Sequence, residues 1–334
     1  MYIATIDTGT TNTRVSIWQG KRVIARVAKE VGVRDTAITG SKQILENGVM
    51  EALSAAVMEA GIKQEDLSLI LASGMITSNV GLYELPHLLA PAGVEELARG
   101  MVRVQLDKVS SQPIWFIPGI KNNVSEITLE NFEKMDFMRG EETETVGIVD
   151  LLNLKGSALI VLPGSHTKFI HLNQNAQVTG CITSLAGELI SLITKNTIIG
   201  SSLNHSFPKE MNKTMILKGA EYAQRLGLNR ACFLIRVIDQ FLDCSTDDKA
   251  NFLAGIVFGT DLVAVKNSQA LKISPEITVG IGGSKPLRGY FEILIKNDSY
   301  FKGSIYSVDD SAVMDLAGYG AIRIAQKRGL IQVE

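Results

Sequence analysis

The sequence predicts an α/β protein made of two similar lobes with a cleft between them. A β-strand, a turn rich in glycine and hydroxyl side chains, and a second strand follow one another at the start of the chain and again near its middle. Stretches with apolar residues at helical spacing follow each of these units. Strands and helices mixed in two repeated halves favour two layered α/β units that face each other.

The first half is predicted to open with three strands. The predicted elements are a strand over 2–6, a polar turn over 7–12, strands over 13–18 and 22–28, a helix within 41–60, a buried strand over 67–72 and a polar loop over 73–79. A helix over 139–152 is predicted to link the two halves. We place the domain boundary at 153–157, which divides the chain into 1–153 and 154–334.

The second half repeats the opening pattern. Its predicted elements are a strand over 158–162, a turn over 163–167, strands over 168–172 and 177–178, a helix over 187–199, a strand over 276–279, a helix over 287–295 and a last helix over 312–326. Small residues on one face of the last helix permit close packing. We expect that helix to pack back against the first lobe.

Composition narrows the classes of function. The chain has 334 residues, 46% of them hydrophobic, which is enough apolar material for a full core. The 33 basic residues nearly balance the 35 acidic ones, so charge gives no case for binding nucleic acid or an anionic membrane. No apolar run approaches the ~20 residues that a membrane-spanning helix needs, and the first residues do not have the pattern of a signal peptide.

Cysteine and histidine spacing argues against a structural metal site. The cysteines are Cys181, Cys232 and Cys244, and the histidines are His87, His166, His171 and His205. Neither set has metal-ligand spacing, and three scattered cysteines make no disulfide framework. We expect unreactive thiols in a reducing cytoplasm.

The first turn, 7–12, is a candidate phosphate site. Successive backbone N–H groups and hydroxyls in a tight turn form a concavity that binds phosphate oxygens. Asp7 at the end of the preceding strand is placed to hold Mg²⁺ through water, because Mg²⁺ keeps much of its hydration shell. The candidate phosphate ligands are Gly9, Thr10, Thr11 and Asn12. The alternative is an ordinary hairpin turn, since these residue types are common turn formers.

The second turn, 163–167, is the candidate partner of the first. Together the two would clamp a polyphosphate from both sides. Its candidate ligands are Gly164, Ser165, His166 and Lys168. A third glycine-rich segment, with Gly282, Gly283 and Ser284, would let a flat ring approach the backbone closely. Taken alone, each of these segments is also compatible with a simple turn.

Two further segments carry candidate chemistry. A carboxylate in the run Glu141–Glu144 could take the proton of an attacking hydroxyl. The alternative is that these acids merely stabilise a helix N-terminus. The polar, uncharged loop over 73–79 follows a buried strand, as loops that line small-molecule sites often do.

The glycine and hydroxyl segments resemble, in their order, the motifs of the actin-like ATPase and sugar kinase superfamily, whose fold is ribonuclease H-like. The first turn is similar to its first phosphate motif, the second turn to its second, and residues 279–284 to its adenosine motif. A closer resemblance, over nearly the whole chain, is to the 2-dehydro-3-deoxygalactonokinase family. The segments that carry it are Asp7–Arg14, Gly74–Ser78, Pro91–Gly93, Ile117–Gly119, Met138–Thr143, Leu162–Lys168 and Gly187–Leu189.

The resemblance implies ATP- and Mg²⁺-dependent phosphorylation of the 6-hydroxyl of 2-dehydro-3-deoxy-D-galactonate. It implies that Glu142 is the base, with Glu141 as the alternative, and that Asp7 positions Mg²⁺. Arg139 is the expected partner of the substrate carboxylate. The expected contacts to the carbonyl and hydroxyls are Ser73, Thr77, Ser78 and Asn79.

Two alternatives stay open from the sequence. The same fold serves ATP-driven regulators and filament proteins that act on no small substrate, because fold does not fix function. A kinase for another sugar or sugar acid is the nearer alternative, since epimers differ in one hydroxyl. The chain is expected to be cytoplasmic and to act on a small molecule, and an oligomer is possible.

Overall fold

The computed structural model describes residues 1–309 and 315–332. The strands are β1 (Tyr2–Thr8), β2 (Thr13–Gln19), β3 (Arg22–Lys29), β4 (Leu67–Gly74), β5 (Leu88–Leu89), β6 (Val102–Val104), β7 (Ile114–Phe116), β8 (Ile120–Lys121), β9 (Phe137–Met138), β10 (Ala158–Leu162), β11 (Thr167–Leu172), β12 (Val178–Ser184), β13 (Thr278–Ile281) and β14 (Ile305–Ser307). The helices are α1 (Val33–Thr39), α2 (Gln43–Glu59), α3 (Val94–Gly100), α4 (Glu141–Leu151), α5 (Ala186–Asn196), α6 (Lys213–Leu226), α7 (Leu228–Phe241), α8 (Thr246–Asn267), α9 (Lys285–Asn297) and α10 (Leu316–Lys327).

Two large sheets share one strand order. The first runs β3-β2-β1-β4-β7-β6 and the second runs β12-β11-β10-β13-β14. In each sheet the first three strands in the chain are antiparallel neighbours, and two later strands add in parallel beside the first, β4 and β7 in one sheet and β13 and β14 in the other. The first sheet has one more strand, β6, which pairs antiparallel with β7 at its edge. This repeated order is the ribonuclease H-like arrangement, and it confirms the expected two-lobed actin-like fold.

A third, small sheet of order β5-β8-β9 lies beside these. It comes from the first half of the chain but contacts the second. The backbones of Ala92 and Val178 bond to each other in both directions, at 3.0 and 2.8 Å. The Asn122 side chain bonds the backbone N–H and C=O of Cys181 at 2.8 and 2.9 Å. The small sheet therefore joins the outer edge of β12.

Alternation along the strands explains the layering. In β10 the side chains of Leu159 and Val161 enter a core shared with α5–α9, whereas Ile160 and Leu162 face a core shared with α4 and α10. Both faces of this strand are buried, which is why it is apolar throughout. One face of the first large sheet shares the core of α4 and α10, and its opposite face packs on α1 and α2. Helices α4 and α10 thus form a central layer between the two sheets.

Glycine allows these two central helices to touch. A Cβ on Gly320 of α10 would lie 1.7 Å from the carbonyl oxygen of Thr143, and one on Gly147 of α4 would lie 2.9 Å from Leu316. Helix α10 also reaches the first lobe, where the Arg328 guanidinium donates to the carbonyls of Ala98 and Arg99 at 2.8 Å.

Most of the predicted elements are present. The opening strands extend one or two residues beyond the predicted ends, and the linking helix is α4. Strand β13 begins two residues later than predicted and includes Gly280 and Ile281. Residues 312–314 of the predicted last helix lie outside the described residues. The helices α1, α3, α6, α7 and α8 were not predicted. No helix in the described ranges is long and apolar enough to cross a membrane.

Candidate active site

The first turn is held from behind by the segment before α1. The Val33 and Arg34 amides donate to the carbonyls of Gly9 and Thr10 at 3.2 and 2.9 Å, and the Gly9 amide donates to Asn12 at 2.8 Å. These bonds occupy the carbonyls of Gly9, Thr10 and Asn12 and the amide of Gly9. Within the described chain the amides of Thr10 and Thr11 have no hydrogen-bond partner, and both residues are exposed. The turn therefore presents free donors, as a phosphate site requires.

Asp7 lies where two glycine-containing segments converge. A Cβ on Gly74, at the end of β4, would lie 3.0 Å from Asp7 Oδ1, and one on Gly140, before α4, would lie 4.0 Å from it. Both glycines have positive φ, at 87° and 114°. The absence of side chains at these positions leaves room around the carboxylate for a ligand. Arg14 Nη1 donates to Asp7 Oδ2 at 3.1 Å.

Several carboxylates share this part of the molecule. Burial raises the pKa of Asp7 to about 6, although Arg14 opposes the rise and the Asp315 and Glu141 charges add to it. Burial, with the charges of Asp7 and Glu141, raises the pKa of Glu144 to about 8. Glu141 Oε2 is buried and has no hydrogen-bond partner in the described residues. The start of α4 therefore gathers several carboxyl groups in a partly buried position beside the first turn, where their mutual repulsion and burial favour the protonated form.

Glu142 is in a different environment from its neighbour. Both of its carboxylate oxygens accept from the Gly140 amide at 2.9 Å, and the side chain is 1% exposed. Burial, with the Glu141 charge, raises its pKa to about 8. Successive helical residues are about 100° apart, so Glu142 lies on a different face of α4 from Glu141. It lines a cavity with Thr145 and Val149 that includes neither phosphate turn.

The second turn packs against two helix starts. A Cβ on Gly187, in the first turn of α5, would lie 2.3 Å from the Gly164 carbonyl oxygen, and the Glu188 amide donates to Ser165 at 3.1 Å. Gly283 has a φ of 79°, and its Cβ would lie 2.9 Å from the Pro163 carbonyl oxygen. The turn, α5 and the segment before α9 are therefore fixed together.

A cavity of about 430 Å³ opens beside this junction. Among its lining residues are Gly164, Ser165, Ser284, Leu287 and Phe207. Apolar and hydroxyl groups beside a phosphate-type turn suit a nucleoside. A larger space of about 910 Å³ lies at the starts of α6 and α8, away from every motif segment. The polar groups that cap these two helices already bond one another, so they are not free to bind a ligand.

In the third glycine-rich segment, over 282–284, Gly282 is covered by apolar side chains rather than open to a flat ring. The space that a Cβ on Gly282 would fill is occupied by Ile148 at 2.6 Å and Leu162 at 2.8 Å. The missing side chains therefore let α4 and the second turn approach β13. Ser284 is exposed at the start of α9 and borders the 430 Å³ cavity.

Of the predicted substrate residues, Thr77 contacts Arg139. Arg139 Nη1 donates to Thr77 Oγ1 at 2.8 Å, and its Nη2 donates to the Leu85 carbonyl at 2.7 Å. Ser73 and Ser78 are buried nearby in sequence, with Ser78 Oγ donating to the Met75 carbonyl at 2.7 Å. Asn79 is exposed.

The side chains of Lys168 and His166 bond different parts of the molecule. The Lys168 ammonium donates to the Phe137 carbonyl at 2.8 Å, contacts the Thr183 hydroxyl and lies 3.9 Å from Asp136. This side chain is 5% exposed and joins β11 to the small sheet. His166 Nε2 lies 3.0 Å from Glu188 Oε1 at the exposed edge of the second turn.

The described residues contain no group of three or more side chains of the kind that holds a metal by direct ligation alone. Mg²⁺ needs fewer protein ligands than this, because it keeps several waters and takes one or two carboxylates. The open space around Asp7 Oδ1 and the unpartnered Glu141 oxygen fit a hydrated Mg²⁺.

Comparison with known proteins places this site in a family. The family model for 2-keto-3-deoxy-galactonokinase matches residues 7–298. The chain belongs to this family. The matched region includes both phosphate turns, the whole of α4 and the Gly282–Ser284 segment.

One curated relative and one solved structure are similar to this chain. The chain is 26% identical to the Escherichia coli 2-dehydro-3-deoxygalactonokinase over 318 residues, covering 92% of this chain and 97% of that one. The crystal structure of a Sinorhizobium meliloti protein provisionally named a 2-dehydro-3-deoxygalactonokinase aligns with a TM-score of 0.72 at 22% identity, over 97% and 98% of the two chains. This chain and the Sinorhizobium meliloti protein share their fold.

Three residues of this family member were not singled out from the sequence. Glu144 was quoted only as part of a run of acids, although it lies three residues after Glu141 and so on a neighbouring part of the same helix face. Asp315 bonds Ser16, 299 positions away, at 2.6 Å, and no local pattern reveals such a pairing. His87 contacts Arg139, which only the folded chain brings beside it.

Proposed function

We propose that this protein transfers the γ-phosphoryl group of ATP to the 6-hydroxyl of 2-dehydro-3-deoxy-D-galactonate, in galactonate catabolism. The observation that carries the proposal is the pair of glycine-hydroxyl turns, one from each lobe, in a chain whose family is defined by this reaction. The first turn offers free amides beside Asp7, and the second lies beside a cavity of nucleoside size.

Nucleotide binding is assigned to both turns and to the start of α9. The amides and hydroxyls of Thr10 and Thr11, with Asn12 and the groups at Gly164 and Ser165, would donate to the β- and γ-phosphates, where negative charge develops. Gly9 would shape the first turn, since its amide already bonds Asn12. The adenosine would enter the cavity lined by Ser284 and Leu287, next to Gly282 and Gly283 in the chain. His166 belongs to the same exposed edge. Lys168 would support the site by fixing the small sheet against β11, since its ammonium is already bonded there.

Asp7 would hold Mg²⁺ through water, with Glu141 adding negative potential. When bound, the ion supplies charge neutralisation at the β- and γ-phosphate oxygens. The carboxylate has the room it needs because neither Gly74 nor Gly140 carries a side chain.

Glu141 is our choice for the base, in place of the Glu142 that the motif alignment favoured. Glu141 Oε2 is buried and unbonded beside Asp7, whereas both Glu142 oxygens are held by the Gly140 amide. A carboxyl with a pKa near 8 is also protonated at neutral pH and accepts no proton there.

The reaction then balances as a single displacement. The 6-hydroxyl oxygen forms a bond to the γ-phosphorus, its proton passes to Glu141, and the bond from the γ-phosphorus to the β–γ bridging oxygen breaks. ADP leaves with that oxygen. Arg139 would hold the substrate carboxylate beside Thr77, because a planar guanidinium matches a carboxylate.

The test is ADP release by a coupled assay with Mg-ATP and a panel of acceptors. The panel contains 2-dehydro-3-deoxy-D-galactonate, its gluconate epimer and neutral hexoses. The proposal expects release that depends on the galactonate derivative and is much slower with the epimer and the hexoses. Release without any acceptor, or an equal response to neutral hexoses, would contradict it.

A further inference from the structure

His87 has no role in the mechanism above, yet it lies against Arg139. Its ring is half-buried and packs edge-on against Phe137, with centroids 5.6 Å apart. Its Nδ1 lies 3.3 Å from Arg139 Nη2. The same guanidinium bonds Thr77, so His87 borders the region assigned to the substrate.

The contact with Arg139 fixes the protonation of the ring. A guanidinium only donates hydrogen bonds, so Nδ1 must be the acceptor. An imidazole that accepts at Nδ1 carries its proton on Nε2. Burial, together with the charges of Arg139 and Lys121, lowers the pKa of His87 to about 4, which keeps the ring neutral near pH 7. His87 therefore presents an Nε2–H donor.

That donor has no acceptor in the described part of the chain. Nε2 is closed off from solvent and makes no hydrogen bond. Buried donors without partners are rare, because each costs stability, and a specific case calls for an explanation. Phe137, the ring packed against the imidazole, is 58% exposed. Because Nε2 is closed off, a ligand would reach it only if an exposed neighbour such as Phe137 turned aside.

Gly119 makes room for this arrangement. A Cβ there would lie 2.9 Å from His87 Cδ2 and 2.8 Å from Arg139 Cγ. It would also lie 2.3 Å from the Met138 carbonyl oxygen. The side chains of His87 and Arg139 thus occupy space that only glycine at 119 leaves free.

We propose that His87 donates its Nε2–H to an anionic or carbonyl oxygen of the sugar acid and helps select acids over neutral sugars. This inference rests on the proposed function and adds a specificity-determining residue to it. A neutral donor beside a guanidinium suits a carboxylate or 2-keto oxygen, because both are stronger acceptors than a hydroxyl. Arg139 has a second task here, which is to hold the His87 tautomer.

Two substitutions separate the donor from the ring. His87→Asn can place an amide oxygen near the position of Nδ1, opposite Arg139, and leaves nothing at Nε2. His87→Gln can place an amide nitrogen near the position of Nε2. Losing a hydrogen bond to a charged ligand should raise the KM for the sugar acid by about 10-fold or more in H87N. H87Q should lose less, and the KM for ATP should stay unchanged in both.

An unchanged sugar-acid KM in H87N, with thermal unfolding like the wild type, would overturn the inference. So would an equal rise in both KM values, which would indicate a general disturbance of the cleft. A wild type that phosphorylates no sugar acid would contradict the proposed function instead.

The tautomer is tested without turnover. The ¹⁵N NMR spectrum of the wild-type protein should show the His87 proton on Nε2 at pH 7, and the Nε2 signal should shift when the sugar acid is added without ATP. A proton on Nδ1 would overturn the inference, as would an Nε2 chemical shift that stays unchanged at saturating sugar acid.

Discussion

Adjacent glutamates at the start of α4 differ in what surrounds their carboxylates. Glu141 begins the helix beside Asp7 with one buried oxygen unbonded, and Glu142 folds back on the Gly140 amide. One residue of sequence corresponds to about 100° around a helix, so chemically equal neighbours face different surroundings. This difference is the basis for choosing between them.

The two glutamates give a matched pair of substitutions. Glu141→Gln should lower kcat by roughly 10²–10⁴-fold, the usual contribution of a general base, while ATP still binds. Glu142→Gln should lower kcat far less, because Gln can still accept from the Gly140 amide. Steady-state kinetics of the two variants at pH 7 measures this. A large loss in E142Q with a small loss in E141Q would return the base to Glu142.

Asp7→Asn should raise the Mg²⁺ concentration needed for half-maximal activity by about 10- to 100-fold, the usual cost of a lost ligand-positioning group. The control is Asp150→Asn at the other end of α4, where the carboxylate pairs with Arg323. A Mg²⁺ titration of the activity compares the two. If D7N and D150N have the same Mg²⁺ requirement as the wild type, Asp7 does not position the ion.

At the level of elements, the start of α4 also affects stability. Glu142 has its pKa raised from 4.5 to about 8 in the folded protein, so between these values the folded state holds a proton that the unfolded state has lost. The unfolded state then binds fewer protons, and stability falls as pH rises. Glu142→Gln removes this contribution. The free energy of unfolding between pH 5 and 8 should therefore fall less steeply in E142Q, as denaturant titrations would measure, and an unchanged slope would contradict the shifted pKa.

The contact between α4 and α10 depends on glycine. Gly320→Ala would place a Cβ 1.7 Å from the Thr143 carbonyl oxygen, so one helix must move, at a cost of about 3 kcal/mol or more. Gly289→Ala in α9 is the control, because its Cβ meets only the flexible end of Met211. That change should be neutral or stabilising, since alanine favours helix.

Chemical denaturation measures both glycine variants. Equal stability in the two would show that the helices are less closely packed than the structure has them.

The sequence predicted these elements unevenly, for physical reasons. The hairpins were predictable because alternation and turn residues are local signals, as in β1 and β2. Helix α8 was missed because it is buried nearly all round and lacks a single apolar stripe. It also contains Gly255, whose missing side chain admits Ile216 of α6. Helix α6 has a readable stripe at Ile216, Ala220 and Ala223 and could have been predicted.

On the scale of the whole molecule, one strand order is used twice around a shared central layer. The resemblance of the two phosphate turns was readable because each follows the first strand of its sheet. The small sheet and its attachment to β12 were not readable, since they depend on contacts between distant segments such as Asn122 and Cys181.

The most direct test follows both products of one reaction. The protein is incubated with Mg-ATP and 2-dehydro-3-deoxy-D-galactonate, and ADP and phosphorylated sugar acid are quantified together by mass spectrometry. We expect equal amounts of ADP and of a product phosphorylated at the 6-hydroxyl, with little ADP when the sugar acid is left out. ADP formed without a phosphorylated sugar acid would show an ATPase rather than this kinase and would overturn the proposed function.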